Sequence, residues 1–419
     1  MKVNYSLKTL KFRNWEMVYT VALVFYVITG MLMSSLVGKF ELPESARLVR
    51  FGISFFLLCL SIGIKGYFRN IVSLVFASAV FALTILSSGS IRELMILLVF
   101  MIASEDVDFD KVFKVLTISM LAFIILIIFC DKAGLFAGYY SLIENVDRNV
   151  EGERVTRDYL GFDYPTMGPS LFITVVYLDG FVNRKRDLSV NELAKYVIIL
   201  ALNYILKVRT DTRGVFYCVL LFVAGMLCIK CSKLIRTRFL KNRLFRVLVI
   251  AAFIGLILIS LYIGYNYSDG SAFYRALNAK LSNRLLLTRD AIKEFGIHLF
   301  GSKFEWRLYG YRGTPDYMFV DCSYWNIIIK NGIVIFLLMT AILLIIMKFL
   351  MDTNDIVTAW IFMVIMVRAM IDPQLMNIIF TPFILLIGNA IRYYYIHSDI
   401  LSVAKRRIRK RELMDSEVH

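Results

Sequence analysis

A chain whose apolar residues fall in runs of about twenty has little choice of fold, because that is the length an α-helix needs to cross roughly 30 Å of hydrocarbon. Such runs recur near 16–38, 48–67, 69–88, 112–131, 165–182, 195–210, 213–230, 246–267, 323–348, 355–371 and 374–396. A shorter run at 91–104 brings the expected number of spans to about twelve. Inside lipid every backbone N–H and C=O must find its partner within the protein. The pattern therefore predicts an all-α, polytopic integral membrane helix bundle, a single transmembrane domain over 1–419. The length would also allow several soluble domains, but 59% of the residues are hydrophobic, which argues against that reading.

Charge orients the bundle. Lys2, Lys8, Lys11 and Arg13 precede the first run with no small-residue cleavage site, so the first helix is expected to remain as an anchor. The basic tail within 397–419, from Lys405 to Arg411, and the stretch Lys230 to Arg246, with seven basic residues, are positive-inside signals. Both termini are expected in the cytosol. Alternation then puts 183–195 inside, and leaves 132–164 and 268–322 as two large outer loops containing short amphipathic helices. Glu105 to Asp110 falls inside, where a solvated acidic loop is expected rather than a metal site. The net charge of +16 is divided between anchoring loops and the outer face, a distribution that argues against nucleic acid. Six scattered cysteines give no disulfide framework, and the lone pair Cys228 and Cys231 has no second half with which to hold a metal. A phosphate-binding glycine loop and a nucleophile elbow are both missing, which disfavours ATP-driven transport by this chain alone.

The outer loops carry what a lipid-facing bundle does not need. Residues 268–322 hold eight Lys or Arg, six Asp or Glu and ten aromatics. Leu277, Leu281, Leu285, Ile292 and Phe295 recur there at helical spacing, predicting an amphipathic helix over 274–296. Its other positions, including Asn278, Lys280, Asn283, Arg284, Arg289 and Lys293, suit either anionic headgroups or a solvated face. The first loop combines Arg148, Arg154 and Arg157 with Tyr139, Tyr140, Tyr159, Phe162 and Tyr164. Lys207, Arg209 and Arg213 crowd a tight outer turn. Guanidinium groups grip phosphate oxygens bidentately, although a cation at a helix end also snorkels without any ligand. Arg213 opens a helix, where the macrodipole disfavours a cation, and is the sharper candidate. Asp321 precedes the run at 323, as a helix cap or as a carboxylate able to take a proton from a hydroxyl. His298 is the one histidine expected outside, and one histidine makes no zinc site. Arg368 and Asp372, four residues apart, read as a helix-end ion pair or as a functional intramembrane pair.

Four of these segments, in order and covering about half the chain, resemble the Wzy-type polysaccharide polymerases within the O-antigen polymerase and ligase family. Arg157 to Thr166 is similar to a pattern of Arg, two spacers, Leu-Gly-Phe, a spacer and His-Pro-Asn, with Tyr164 and Thr166 in place of the His and Asn. Thr210-Asp211-Thr212-Arg213 resembles a Thr-x-Ser-Arg turn with Thr212 for the Ser. Leu277-Asn278, Leu281 to Leu285, Gly296 and Leu299-Phe300-Gly301 resemble the long outer loop, with Asn283 where glycine is common. Asp321-Cys322-Ser323-Tyr324 followed by Asn331-Gly332-Ile333-Val334 is similar to an Asp-Asn-Ser-Tyr and Gly-Ile pattern. Related ligases carry a histidine near the position of Asp321.

The resemblance implies a glycosyltransferase on the outer face of the bacterial plasma membrane, which joins glycan repeat units carried on undecaprenyl pyrophosphate. The product would be O-antigen, capsule or exopolysaccharide. It implies catalytic roles for Asp321, Arg213 and Arg284, and substrate-binding roles for Arg157, Arg209, Arg154, Tyr159, His298 and Tyr324. No cofactor and no metal are implied. The expected partners are the lipid-linked oligosaccharide, membrane lipids, a chain-length regulator and a flippase, with no nucleic acid. Two alternatives stay open: a glycan ligase of the same family, and a flippase or transporter of lipid-linked oligosaccharide. A transporter should show repeat halves with ionisable groups near the bilayer midplane, whereas here the charges crowd the outer edge.

Overall fold

Helices dominate because the apolar runs leave the backbone no other partner. The computed structural model describes residues 13–65, 91–140, 148–150, 153–155, 157–232, 242–308 and 317–397. Among these, six helices are long and apolar enough to cross a membrane: Asn14–Met33, Glu44–Lys65, Phe109–Lys132, Arg213–Cys231, Arg243–Tyr265 and Ile333–Asp352. Shorter helices Met167–Val182 and Ile356–Ala369 are buried at the centre. The span expected at 69–88, the basic tail beyond residue 397 and most of the basic stretch 230–246 lie outside the described residues.

The surface of the bundle is apolar, the reverse of a soluble helix. In Glu44–Lys65, Phe56 and Ile64 are exposed while Ser54, Leu58 and Ser61 are buried. Small and polar residues thus face neighbouring helices, where they allow close approach, and large apolar ones face outward. Helix starts are set by side-chain caps. Ser35 accepts from Gly38 N, Asp108 from Asp110 N, Ser189 from Glu192 N, and Asp355 from Thr358 N.

Three expected elements differ. The run 323–348 is two helices, Ser323–Asn331 and Ile333–Asp352, broken at Gly332, whose φ of 95° suits glycine alone. A Cβ there would lie 2.4 Å from Leu299 O, because the outer loop docks into the break. Ile333 N donates to His298 O and Val334 N to Leu299 O, each at 3.1 Å. The run 374–396 begins as irregular chain, tightens into a 3₁₀ turn over Pro382–Leu386, and becomes helical only at Ile387–His397. Its irregular backbone is buried in protein, with Thr174 Oγ1 donating to Phe380 O at 3.1 Å, which is where membrane proteins tolerate such chain. The single amphipathic helix expected over 274–296 is a pair, Ala272–Lys280 and Arg284–Phe295, hinged where Ser282 and Asn283 take left-handed φ of 57° and 63°.

The helix ends form two polar layers. One holds 34–41, 131–140, 157–166, 209–213, 266–308 and 370–381, and the other holds Arg13, 105–110, 184–195, 352–355 and Arg392.

Candidate functional site

The first layer is built around the turn between Val190–Thr210 and Arg213–Cys231. Asp211 makes the turn in a left-handed conformation, φ 47° and ψ 39°, and Thr210 Oγ1 and Thr212 Oγ1 lie 2.8 Å apart beneath it. The loop before Met167–Val182 clamps this turn from the side. Arg157 Nε donates to Thr210 O at 2.8 Å, and Asp158 N donates to Arg209 O at 2.9 Å. Two carbonyls left over at a helix C-terminus are thereby satisfied. The clamp brings Arg157 to the same turn as Arg209 and Arg213. Arg213 binds Asp211 through Nε at 3.2 Å, and its side chain stays 54% exposed. Arg209 is exposed beside it.

The second cluster lies in the long loop. Arg284, the first residue of its helix, bonds through Nε to Asp321 Oδ2 at 2.7 Å. A cation at a helix start is unfavourable against the macrodipole, and the buried carboxylate compensates it. Asn278 sets the geometry. Its Oδ1 accepts from Leu285 N at 3.0 Å and Leu286 N at 3.2 Å, capping the helix that carries Arg284, while its Nδ2 donates to Tyr267 Oη at 3.1 Å. The capping role open to Asp321 is not realised: Cys322 is the N-cap residue, without a side-chain cap bond, and the Asp321 carboxylate turns to Arg284.

A third segment joins the two clusters. A Cβ on Gly214 would meet the Ile371 side chain at 2.7 Å, so the arginine turn is seated against residue 371. The next residue, Asp372, accepts from Ser323 Oγ through its backbone carbonyl at 2.5 Å, two residues from Asp321. Its carboxylate takes Nε and Nη2 of the buried Arg368 at 3.0 and 2.9 Å. Arg368 and Asp372 therefore form the helix-end pair, and they tie Ile356–Ala369 to both clusters.

Other expected site residues have different places. Tyr324 is buried and donates its hydroxyl to Met366 O at 2.8 Å, so its ring cannot stack on a ligand. Tyr159 is buried edge-on against Tyr140, a packing residue. Trp306, an aromatic of the long loop that could stack on a sugar face, packs with Phe295, Phe304 and Phe319 in an aromatic cluster. His298 is exposed with Nε2 at 3.0 Å from Phe295 O, and its own carbonyl staples the loop to the helix break. Arg154 lies on a short strand opposite Asn149, its side chain outside the described residues. Cys322, beside Asp321, is buried with Sγ 3.2 Å from Ser260 Oγ.

Sequence reasoning overlooked Asn278 as an organiser, and it overlooked Arg50. That arginine, within Glu44–Lys65, donates through Nε to Tyr26 O at 3.0 Å and lies over the Tyr26 ring at 3.8 Å. The signal was a cation within the apolar run 48–67. Among the described residues no cluster of His, Cys, Asp or Glu is arranged to hold a metal. No family model, curated protein or solved structure matches the chain. Chemically, the first layer offers guanidinium groups from three sequence-distant segments and a carboxylate beside one of them, the donor set for binding a polyanion and stabilising charge as it develops.

Proposed function

We propose that the chain is a polysaccharide repeat-unit polymerase of the bacterial plasma membrane, with about twelve spans, both termini in the cytosol and the arginine layer outside. A growing glycan leaves its undecaprenyl pyrophosphate and is transferred to the non-reducing-end hydroxyl of a fresh lipid-linked unit. Arg157, Arg213 and Arg284 hold the diphosphates and stabilise the charge that gathers on the leaving group. Arg209 and His298 extend this surface toward the glycan, and Arg154 is a further substrate-binding residue in this reading. Asp321 fixes Arg284 and orients the acceptor.

The observation that carries this reading is a chain of contacts: the Arg157 loop holds the Arg213 turn, Gly214 of that turn packs on Ile371, and Asp372 accepts from Ser323, two residues from the Arg284–Asp321 pair. A chain-length regulator and a flippase would be the working partners. The decisive experiment incubates the purified protein in detergent with its lipid-linked repeat unit and reads products by size. A ladder of longer lipid-linked glycans is expected; unchanged units would point to a flippase, and transfer only to a different acceptor would point to a ligase. Orientation is checked on a cysteine-free background, where a membrane-impermeant thiol reagent should label a cysteine at exposed Lys303 but not one at exposed Lys185.

A further inference from the structure

Arg50 lies inside one of the long apolar helices, Glu44–Lys65, and has no part in the reading above. At 1.5 Å per residue it stands about 9 Å along the axis from the helix start. Other cations on apolar helices meet carboxylates: Arg368 meets Asp372, Lys230 meets Glu192, and Arg246 meets Asp352. Among the described residues Arg50 meets none at ion-pair distance. The charges that act on it from farther off are Glu93 on Ile91–Ala103 and the like charge of Arg47. Its head is nonetheless fixed. Nε donates to Tyr26 O at 3.0 Å, and the guanidinium lies over the Tyr26 ring at 3.8 Å. Gly30 makes room for it, since a Cβ there would overlap both the guanidinium and the Ile379 side chain. Nη2 is sealed without a hydrogen-bond partner, while Nη1 is neither sealed nor bonded. Around the half-buried arginine the helix presents Leu48, Val49, Ile53 and Phe56, all exposed.

We propose that Arg50 is a lipid-binding residue, whose Nη1 takes the phosphate of an anionic membrane phospholipid seated against Glu44–Lys65 and Asn14–Met33. A charge in hydrocarbon is costly, and a helix that keeps one either snorkels it to water or gives it a partner. Free snorkelling is not what this head does, because the Tyr26 carbonyl and ring hold it against the neighbouring helix. A phosphate oxygen at Nη1 supplies the missing anion through a charge-assisted hydrogen bond. The bilayer thins locally around an intramembrane arginine, which brings a headgroup within reach. The exposed apolar side chains of the same helix then face the acyl chains. Arg47, three residues nearer the helix start and so on a neighbouring part of the same face, adds an exposed cation on the headgroup side. The site uses none of the residues of the polymerase reading and stands independently of it.

The test is lipid binding by the full chain in detergent, read as lipid retained in native mass spectrometry and as the shift in unfolding temperature. The additives are dioleoylphosphatidylglycerol, dioleoylglycerol with the same chains and no phosphate, inorganic phosphate, and a polyprenyl diphosphate. The phospholipid should be retained and should raise the unfolding temperature to saturation, and neither dioleoylglycerol nor inorganic phosphate should do so. Arg50→Gln should bind the phospholipid about tenfold or more weakly, the usual effect of losing a hydrogen bond between charged groups. Arg275→Gln, which removes an exposed cation elsewhere, should bind it as the wild type does. An arginine that only ties two helices gives the opposite pattern, a lower lipid-free unfolding temperature in Arg50→Gln with unchanged lipid affinity, and that result overturns the proposal. If Arg50→Gln does not insert, Arg50→Lys is read in its place. An ammonium cannot hold Tyr26 O and a phosphate in one planar fork, so binding should weaken several-fold; wild-type affinity there also overturns the role of Arg50. An equal shift from inorganic phosphate would make this a free-anion site. Displacement of the phospholipid by an equal amount of polyprenyl diphosphate, lost in Arg50→Gln, would give the site to that lipid instead. Either outcome overturns the phospholipid as occupant.

Discussion

The arginines of the two polar layers differ in how they are held. In the layer around 105–110, carboxylates meet cations brought by other helices. Asp106 lies between Arg13 at 2.8 Å and Arg392 at 3.1 Å, Arg184 joins Asp110 to Asp355, and Lys230 reaches Glu192 at 2.9 Å. The acidic run, expected to be a solvated loop, keeps its aspartates part-exposed and also ties helix ends together. In the other layer, Arg213 is satisfied by a neighbour two residues away, and Arg157 Nε by a carbonyl. Charges that neutralise each other across helices serve cohesion. A guanidinium held by a neutral carbonyl, as Arg157 is, keeps its net charge for an anion from outside, and Arg213, 54% exposed, keeps N–H groups free of its local carboxylate. The Arg284–Asp321 pair joins separate segments as pairs of the other layer do, like Lys132–Asp158 and Arg307–Glu294 beside it, but its carboxylate is buried, and it gives the sharpest test of the contrast.

Arg284→Gln should slow elongation about a hundredfold or more, the usual cost of removing one donor aimed at developing charge. Exchanging the partners, Arg284→Asp with Asp321→Arg, should restore insertion and thermal stability but not polymer, measured as rates on folded protein. Wild-type activity in the exchanged protein would make this pair another structural tie and break the comparison.

Arg213→Lys should have the next largest effect, losing most polymer, about tenfold or more, because the ammonium keeps the charge but not the planar fork. Folding should survive, since the side chain is exposed and its bond to Asp211 is local. Normal chain lengths from a normally inserted variant would reduce this arginine to a snorkelling helix end.

Much of this layer was readable as motif order, because each motif carries a local necessity. The turn at Asp211 and the hinge at Asn283 both need a residue tolerant of left-handed φ, which Asp and Asn supply. What stayed hidden depends on partners distant in sequence. Gly332 sits in an apolar run that reads as continuous helix, and only the docking of 298–301 makes the break favourable. Residues 374–381 look like part of a span until Ser323 and Thr174 are seen to satisfy their backbone. Tyr324 looked like a platform beside Asp321, yet the α-helical turn that follows directs it inward to Met366. That the acidic run ties helix ends was hidden because the cations that meet it lie up to hundreds of residues away.

Asn278→Ala should produce a smaller change, on stability before rate. The side chain caps a helix it does not belong to, so its loss should cost about 1 kcal/mol, the usual value of a cap. A modest fall in melting temperature is expected, with a few-fold slower elongation because Arg284 begins the uncapped helix. Asn278→Asp keeps the acceptor and should recover most of the stability. A full rate in Asn278→Ala would show that Arg284 is placed by Asp321 alone.

The smallest effect is expected in the opposite layer. Asp106 binds Arg13 and Arg392 with the three side chains 30%, 48% and 41% exposed, so solvent screens both pairs. Exposed ion pairs contribute from nothing to about 1 kcal/mol each, and Asp106→Asn should remain within that range by thermal unfolding in detergent. Asn can still accept from one arginine, which limits the loss further. Elongation per folded molecule should be unchanged, since nothing in this layer touches the proposed reaction. Added salt should erase the difference from wild type, because screening removes what the pairs supply. A tenfold loss of polymer with normal stability would mean the two layers are coupled, and the division between cohesive and ligand-binding charge would have to be abandoned.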